Sequence, residues 1–204
     1  MDGVLLDSRA VVERTWRRWA SRHRLPAESV LRIAHGRRTL DTLRAAAPEL
    51  ATAEEVAWIE GAELEDLDGV GPIPGAVPLI AALPPSRWTV ITSAGRELAT
   101  GRLEAAGLSL PDNAVTSDDV ARGKPFPDGY LLGAARLGFA ANDCLVVEDA
   151  PKVIKAARKV GFRSLGVTNT HPADRLSEAG ADWVVSSLEV AEVKRAIPEL
   201  KFLT

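Results

Sequence analysis

Between residues 76 and 185, short runs of β-forming residues alternate with helical segments, and this alternation restricts the fold more than any other feature of the sequence. Five runs are rich in β-branched, aromatic and apolar residues: 88–92, 114–116, 144–147, 164–167 and 183–185. Five segments before and between them have the apolar spacing of helices: 77–83, 97–106, 129–137, 152–160 and 172–179. Strands that alternate with helices of this length form βαβ units, in which helices cover both faces of a parallel sheet. The sequence therefore predicts an α/β fold with a parallel sheet.

The first third of the chain has a different pattern. From about residue 10 to residue 68, apolar side chains recur at helical spacing, as in Val12, Trp16 and Trp19, and no strand pattern interrupts them. A Gly- and Pro-rich segment then precedes the alternating part. We therefore predict a helical domain at residues 10–71, inserted into an α/β core domain that is formed by residues 1–9 and 72–204.

Length and composition exclude several classes of protein. The chain of 204 residues can bury the core of one domain that carries a smaller insert. Its apolar runs are far shorter than the ~20 residues of a membrane span, and its first residues lack the basic and apolar regions of a secretory signal. Cys144 is the single cysteine, which excludes an intramolecular disulfide and fits a reducing compartment. We expect a cytoplasmic monomer without membrane contact.

Charge is distributed unevenly along the chain, although the net charge is only −3. Residues 1–47 carry ten arginines and five acidic residues, whereas residues 48–71 carry eight acidic residues and no base. A basic helix can attract nucleic acid, but the neighbouring acidic stretch repels a polyanion. We therefore expect no nucleic-acid partner, and a small phosphorylated metabolite is the better match.

Polar side chains collect where the predicted strands end, which is where an open parallel sheet binds its ligands. In chain order these positions carry Asp2, Asp7, Thr92, Ser93, Lys124, Glu148 and Asp149. Carboxylates hold a hard cation such as Mg²⁺, while hydroxyl and ammonium groups bind phosphoryl oxygens. Each residue alone also fits an ordinary helix cap or turn. Their order along the chain, taken together, indicates a site for phosphate and Mg²⁺.

Four short motifs carry these residues: Asp2-Gly3 with Asp7-Ser8, Val90-Ile91-Thr92-Ser93, Gly123-Lys124-Pro125, and Val147-Glu148-Asp149-Ala150-Pro151. Together they resemble the signature of the haloacid dehalogenase superfamily of phosphohydrolases, in the group with a small helical cap. The resemblance spans nearly the whole chain. It is sharper for phosphatases of sugar phosphates, glycerol 3-phosphate and 2-deoxyglucose 6-phosphate, whose characteristic segments are similar to 35–42, 73–76 and 116–125.

The resemblance implies a Rossmann-like core with a helical cap, and a Mg²⁺-dependent phosphomonoesterase that works through an aspartyl phosphate. Asp2 matches the second aspartate of the motif, which protonates the leaving alcohol. Thr92 would hydrogen-bond the phosphoryl group, and Lys124 would neutralise it. The implied Mg²⁺ ligands are Asp2, Glu148 and Asp149, and the residues expected to bind substrate are Ser93, Arg37 and Arg38.

The same resemblance puts the nucleophilic aspartate two positions before Asp2, ahead of Met1. The apolar strand that precedes this aspartate in the family, central in the sheet, would also lie ahead of Met1. We therefore expect the chain as given to lack its central strand and to be a poor catalyst, as a truncated start would make it.

Two other functions stay open. A catalytically inactive binding protein of the same fold would agree with the missing nucleophile. A sugar-phosphate mutase shares the core motifs, but mutases usually carry an arginine at the position of Thr39, whereas here Arg37 and Arg38 come one or two positions earlier.

Overall fold

The computed structural model of the chain describes residues 1–34 and 36–200. After the short strand β1 (Leu6–Asp7), four helices follow one another: α1 (Arg9–Arg22), α2 (Ala27–Ala34), α3 (Thr39–Ala46) and α4 (Ala53–Glu65). We call residues 9–65 the helical segment. The strand β2 (Gly71–Pro72) then pairs antiparallel with β1, so the chain leaves and re-enters the rest of the fold at one place.

The remainder of the described chain contains six further α-helices: α5 (Ala76–Ala82), α6 (Arg96–Ala105), α7 (Asp128–Leu137), α8 (Pro151–Lys159), α9 (Ala173–Glu178) and α10 (Val190–Ala196). It also contains three strands: β3 (Leu145–Glu148), β4 (Arg163–Val167) and β5 (Trp183–Val185). None of the described helices is long and apolar enough to cross a membrane.

Strands β3, β4 and β5 form a parallel sheet in that order. Val146 pairs with Ser164, and Gly166 pairs with Val184. Helix α8 connects β3 to β4 and helix α9 connects β4 to β5, so both connections are the crossovers that parallel neighbours require. The predicted α/β fold with a parallel sheet is confirmed.

The predicted strands 88–92 and 114–116 are not regular strands in this structure. They meet in a single parallel bridge between Ile91 and Val115. Among the described residues, no strand pairing joins this bridge to β3. A short β-forming run becomes a regular strand through its hydrogen-bonded neighbours, and each of these runs pairs only with the other.

The first five residues form a turn, which is closed by a 2.7 Å hydrogen bond from the N–H of Leu5 to the carbonyl of Met1. Gly3 within it has a φ of +73°, a conformation that favours glycine. A Cβ on Gly3 would overlap the carboxylate of Asp149. The turn therefore brings Asp2 and Gly3 against the carboxyl end of β3.

The structure has separate hydrophobic cores for its two parts. In the helical segment, Trp19 is fully buried and meets the edge of Trp16, with 5.4 Å between ring centroids. The α/β part is packed around a second set of buried side chains that includes Leu6, Leu79, Leu98, Leu103 and Leu165. Helix α4 crosses α6 closely because Gly101 has no Cβ to collide with Leu64. The helical segment thus has a buried core of its own and packs on α6.

Candidate active site

A cluster of three side chains lies beyond the carboxyl end of β3; we call Lys124, Tyr130 and Glu148 the lysine cluster. The Lys124 ammonium and the Tyr130 hydroxyl both donate to Oε1 of Glu148, each at 2.5 Å. Oε2 of Glu148 accepts from the backbone N–H of Asp149 at 3.1 Å. Burial alone would raise the pKa of Glu148, but the Lys124 charge and these donors lower it to about 2. Glu148 therefore holds a charged lysine at the strand end.

Asp149 follows directly but has a different environment. It is buried, its Oδ2 accepts a hydrogen bond from the hydroxyl of Thr170, and the ring of His171 lies 3.0 Å from its carbonyl. Burial, and then the charge of Glu148, raise the pKa of Asp149 to about 6. This carboxylate carries negative charge that no cation among the described residues balances by direct contact.

Asp2 belongs to a second cluster; we call Asp2, Glu63 and Arg102 the arginine cluster. The guanidinium of Arg102 donates to Oδ1 of Asp2 at 2.9 Å and to Oε2 of Glu63 at 2.5 Å. The Ser8 hydroxyl also donates to Oδ1 of Asp2, at 2.6 Å. Burial would raise the pKa of Asp2, but the charge of Arg102 leads the contributions that lower it.

Thr92 and Ser93 lie at the end of the run 88–92, as predicted. The N–H of Ala94 donates to Oγ1 of Thr92 at 3.2 Å, which leaves the hydroxyl proton of Thr92 available to another acceptor. The hydroxyl of Ser93 donates to the carbonyl of Gly36 in the helical segment at 3.1 Å. Thr92 lines one cavity together with Lys124, so the structure brings these two predicted catalytic residues together.

The two cap arginines differ in placement. Arg38 lines the same cavity as Lys124 and lies against Gly123, where no Cβ would fit. Its guanidinium donates to Asp41 at 2.7 Å and to the carbonyl of Val120 at 3.0 Å. Arg37 is exposed at the surface. His35, from the segment that carried the resemblance, lies outside the described residues.

The predicted Mg²⁺ ligands do not converge as a set. Among residues 1–34 and 36–200, no three acidic, histidine or cysteine side chains are placed to hold a metal ion. Glu148 is engaged by Lys124, while Asp149 faces the turn that carries Asp2. The donor chemistry fits Mg²⁺ best at Asp149, whose carboxylate faces Gly3 and, unlike Glu148, makes no ion pair with a cation among the described residues.

Sequence reasoning missed Arg102, Glu63, Thr170 and Ser8. A signal for Arg102 does exist: it lies on the buried face of α6 with Leu98, Ala99 and Leu103. An arginine on an otherwise apolar helix face is rarely buried without a partner. The other three residues are ordinary polar residues in the sequence, and only the fold shows what they contact.

The sequence of the chain is similar to one protein family and to individual proteins from other organisms. The family described as "Hydrolase: haloacid dehalogenase-like hydrolase" matches residues 1–161. Hexitol phosphatase A of Escherichia coli (strain K12) is 38% identical over 200 residues, which cover 96% of this chain and 92% of that protein. Glycerol-1-phosphate phosphohydrolase 1 of Saccharomyces cerevisiae is 33% identical over 219 residues, which cover 100% of this chain and 87% of that protein.

A solved structure gives the same result for the fold. The crystal structure of a hydrolase from Pseudomonas syringae superposes with a TM-score of 0.82 at 27% identity, and the match covers 98% of this chain and 95% of the other. The family match spans well over half of the chain, and both sequence relatives span nearly all of it. The chain therefore belongs to the haloacid dehalogenase-like hydrolases.

Proposed function

We propose that the protein is a Mg²⁺-dependent phosphatase of small sugar or polyol phosphates. The observation that carries the proposal is the cavity shared by Thr92 and Lys124, with Glu148 holding the lysine in its charged form. The names of the two relatives, a hexitol phosphatase and a glycerol-1-phosphate phosphohydrolase, support the class of substrate. A cation and a hydroxyl at neighbouring strand ends suit a phosphoryl group.

In this proposal each side chain has a separate task. Lys124 offsets the charge of the phosphoryl oxygens, since an anionic nucleophile and a phosphate dianion repel each other. The hydroxyl of Thr92 donates to one phosphoryl oxygen, and Ser93 borders the bound group. Asp2 gives a proton to the leaving alcohol and later takes one from water.

Mg²⁺ would be held by the carboxylate of Asp149, which leaves the carboxylate of Asp2 for proton transfer, and it would supply further neutralisation of phosphoryl charge when bound. Glu148 would contribute through Lys124, which it keeps charged and fixed. These separate tasks follow from the two environments. Glu148 is paired with Lys124 and its pKa is lowered, whereas Asp149 has no such partner and its pKa is raised.

We further propose that residues 10–71 act as a cap over the α/β core of residues 1–9 and 72–204. The hydrogen bonds from Ser93 to Gly36 and from Arg38 to Val120 hold the helical segment over the cavity. A cap closed in this way excludes water from the reacting groups. Arg38 would face the substrate from the cap side, with Arg37 further out.

The test compares three forms of the protein in Mg²⁺-dependent phosphate release from glycerol 1-phosphate, 2-deoxyglucose 6-phosphate and 4-nitrophenyl phosphate. One form is the 204-residue chain, the second adds an apolar strand ending in Asp directly before Met1, and the third ends that strand in Asn. We expect the Asp form to turn over at ordinary rates of about 1 s⁻¹ or more. The other two should be slower by about 10³-fold or more, because they lack the phosphoryl acceptor.

Other outcomes would identify other functions. Full turnover by the 204-residue chain would mean that Asp2 is not the second acid of the motif. Isomerisation of a sugar phosphate without release of phosphate would favour a mutase. Tight phosphate binding without turnover by the Asp form would favour an inactive binding protein.

A further inference from the structure

Phe126 is an exposed aromatic side chain in the wall of the candidate site. It is 49% exposed, and the other exposed large apolar side chains in the described part of the chain are Val77 and Leu131. A single exposed apolar residue is ordinary at a protein surface. Phe126, however, lines the cavity that also contains Thr92 and Lys124, whereas Val77 and Leu131 do not. The position of the ring, rather than its exposure, therefore points to a role in binding.

The cavity has a buried inner end and an exposed outer end. Its volume is about 10 Å³, which is room for about one water molecule or one phosphoryl oxygen. Of the described residues that line it, Gly129 and Tyr130 are buried at one end, while Arg122 and Phe126 are the two that are exposed. A phosphate ester whose phosphoryl group lies at Lys124 therefore extends its organic part toward Arg122 and Phe126.

A tight turn fixes the position of the ring relative to the lysine. The N–H of Phe126 donates to the carbonyl of Gly123 at 3.1 Å, so Lys124 and Phe126 belong to the same turn. The side chain of Lys124 is only 14% exposed, because it reaches inward to Glu148, whereas that of Phe126 lies at the surface. One turn thus carries the cation for the phosphoryl group and an apolar surface beyond it.

Arg122 lies over one face of the ring and is itself held in place. Its guanidinium carbon is 4.8 Å from the ring centroid of Phe126. Its Nε and Nη2 donate to the two carboxylate oxygens of Asp128 at 2.9 and 3.0 Å, so the planar guanidinium has a fixed orientation. The third nitrogen, Nη1, has no hydrogen-bond partner among residues 1–34 and 36–200. An apolar ring and an unpaired N–H donor therefore lie side by side at the outer end of the cavity.

We propose that Phe126 and Arg122 form a subsite for the carbon chain of the substrate, which favours phosphates of six-carbon sugars and polyols over the three-carbon glycerol phosphate. C–H groups of the chain pack on the part of the ring that Arg122 leaves uncovered, and a hydroxyl oxygen accepts from Nη1 of Arg122. A longer chain covers more of the ring, so the gain in affinity grows with chain length. The inference rests on the proposed function, in which Lys124 and Thr92 bind the phosphoryl group.

Equilibrium binding tests this subsite without any chemical step, so the 204-residue chain itself is used. Calorimetric titrations in the presence of Mg²⁺ compare inorganic phosphate, glycerol 1-phosphate and sorbitol 6-phosphate. We expect the chain to bind sorbitol 6-phosphate at least about tenfold more tightly than glycerol 1-phosphate. Phe126→Ala should weaken the binding of sorbitol 6-phosphate by about tenfold, the equivalent of losing roughly 50 Å² of apolar contact. Its affinity for inorganic phosphate should change by less than about twofold, because the substituted position is exposed.

A second variant tests the hydrogen bond. Arg122→Met combined with Asp128→Asn removes the donor together with its carboxylate partner, so the net charge near Lys124 stays the same. It should weaken the binding of sorbitol 6-phosphate by about threefold to tenfold and leave that of inorganic phosphate unchanged. Leu131→Ala is the matched control, because Leu131 is a 43% exposed side chain on α7 that does not line the cavity. It should leave all three affinities unchanged.

Equal losses for all three ligands in Phe126→Ala would overturn the inference, because they would show that the ring only supports the turn that carries Lys124. Unchanged binding of sorbitol 6-phosphate in that variant would overturn it as well. A parent chain that binds inorganic phosphate but does not discriminate between the two esters refutes the subsite alone. A parent chain that binds none of the three ligands refutes the proposed function and the subsite with it.

Discussion

The lysine cluster and the arginine cluster contain the same kinds of residue but differ in charge balance. In the first, the single carboxylate of Glu148 meets the single ammonium of Lys124. In the second, the carboxylates of Asp2 and Glu63 share one guanidinium. Burial favours the neutral acid in both places, yet the pKa of Glu148 falls to about 2 whereas that of Glu63 rises to about 7.

The difference teaches that the number of cations per carboxylate decides the protonation state here. For Glu63, burial raises the pKa, the charge of Arg102 opposes this, and the charges of Asp2 and Glu60 add to it. The lysine cluster thus keeps one fixed charge state across the neutral range. In the arginine cluster, by contrast, Glu63 has a pKa of about 7, so this cluster gains or loses a proton near neutral pH. It contains Asp2, the residue for which acid–base chemistry is proposed.

The largest effect should come from breaking the lysine cluster. In the form extended by a strand that ends in Asp, we expect Lys124→Ala to abolish Mg²⁺-dependent turnover and to lower the free energy of unfolding by about 3–5 kcal/mol, because Glu148 is left buried without a cation. Urea unfolding and phosphate release check the two effects. The double variant with Glu148→Gln should regain most of the stability and none of the activity. Unchanged stability in Lys124→Ala would show that charge balance does not hold this cluster together.

A smaller effect should separate the clusters by pH. The pKa of Glu63 is higher in the folded chain, about 7, than its ordinary value of 4.5, so the folded state binds the proton more tightly. The stabilisation that Glu63 gains from this tighter binding is therefore fully present below pH 4.5, and it is lost as the pH rises to about 7. Relative to Glu63→Gln, we expect the free energy of unfolding to fall by about 2–3 kcal/mol over that window.

Unfolding of the two proteins in urea at pH 4.5, 6 and 8 measures this difference. Glu54→Gln, at an exposed position of the same helix, is the matched control and should show no such trend. A flat difference between the parent and Glu63→Gln would mean that Arg102 balances both carboxylates.

The next prediction concerns the hydrogen bond from the Thr170 hydroxyl to the carboxylate of Asp149. Thr170→Val removes that hydrogen bond, which favours the charged carboxylate. We expect it to lower the free energy of unfolding by about 1–2 kcal/mol at pH 8. The effect should be smaller at pH 5, below the Asp149 pKa of about 6. Thr170→Ser keeps the hydroxyl and should behave like the parent; an equal loss in both variants would locate the effect in packing.

The smallest effect concerns the helical segment. In the Asp-extended form, Arg38→Ala should lower kcat/KM for 2-deoxyglucose 6-phosphate by about tenfold, the equivalent of about 1.4 kcal/mol. Arg37→Ala should lower it by less than about threefold, because Arg37 is exposed and Arg38 lines the cavity. Assays of the same two variants on 4-nitrophenyl phosphate test whether the loss is specific to the sugar phosphate. Equal losses for both arginines would remove the distinction that the structure draws between them.

The sequence predicted the elements whose pattern is local. The helices α5 to α9 and the strands β3 to β5 lie within one or two residues of their predicted positions, because apolar periodicity is a property of each segment alone. The runs 88–92 and 114–116 failed as regular strands because strand formation depends on neighbours that the sequence pattern does not reveal. The division into cap and core stays a prediction.

In the candidate site, too, some residues could be predicted from the sequence and others could not. Residues at strand ends, such as Thr92 and Lys124, could be found from chain order, because parallel strands bring their ends to one edge. Their partners could not, since Glu63 and Arg102 are 39 positions apart and meet only when α4 packs on α6. The sequence also gave no reason to distinguish Arg37 from Arg38, because it does not show which way each side chain points. In the structure Arg38 lines the cavity and Arg37 is exposed.

The contacts that hold the helical segment over the cavity end on backbone carbonyls, those of Gly36 and Val120. Every residue type supplies such an acceptor, so the contact does not constrain the side chain at position 120. The donors, Ser93 and Arg38, have no such freedom. In a saturation mutagenesis library, position 120 should therefore accept many amino acids, whereas positions 38 and 93 should accept few.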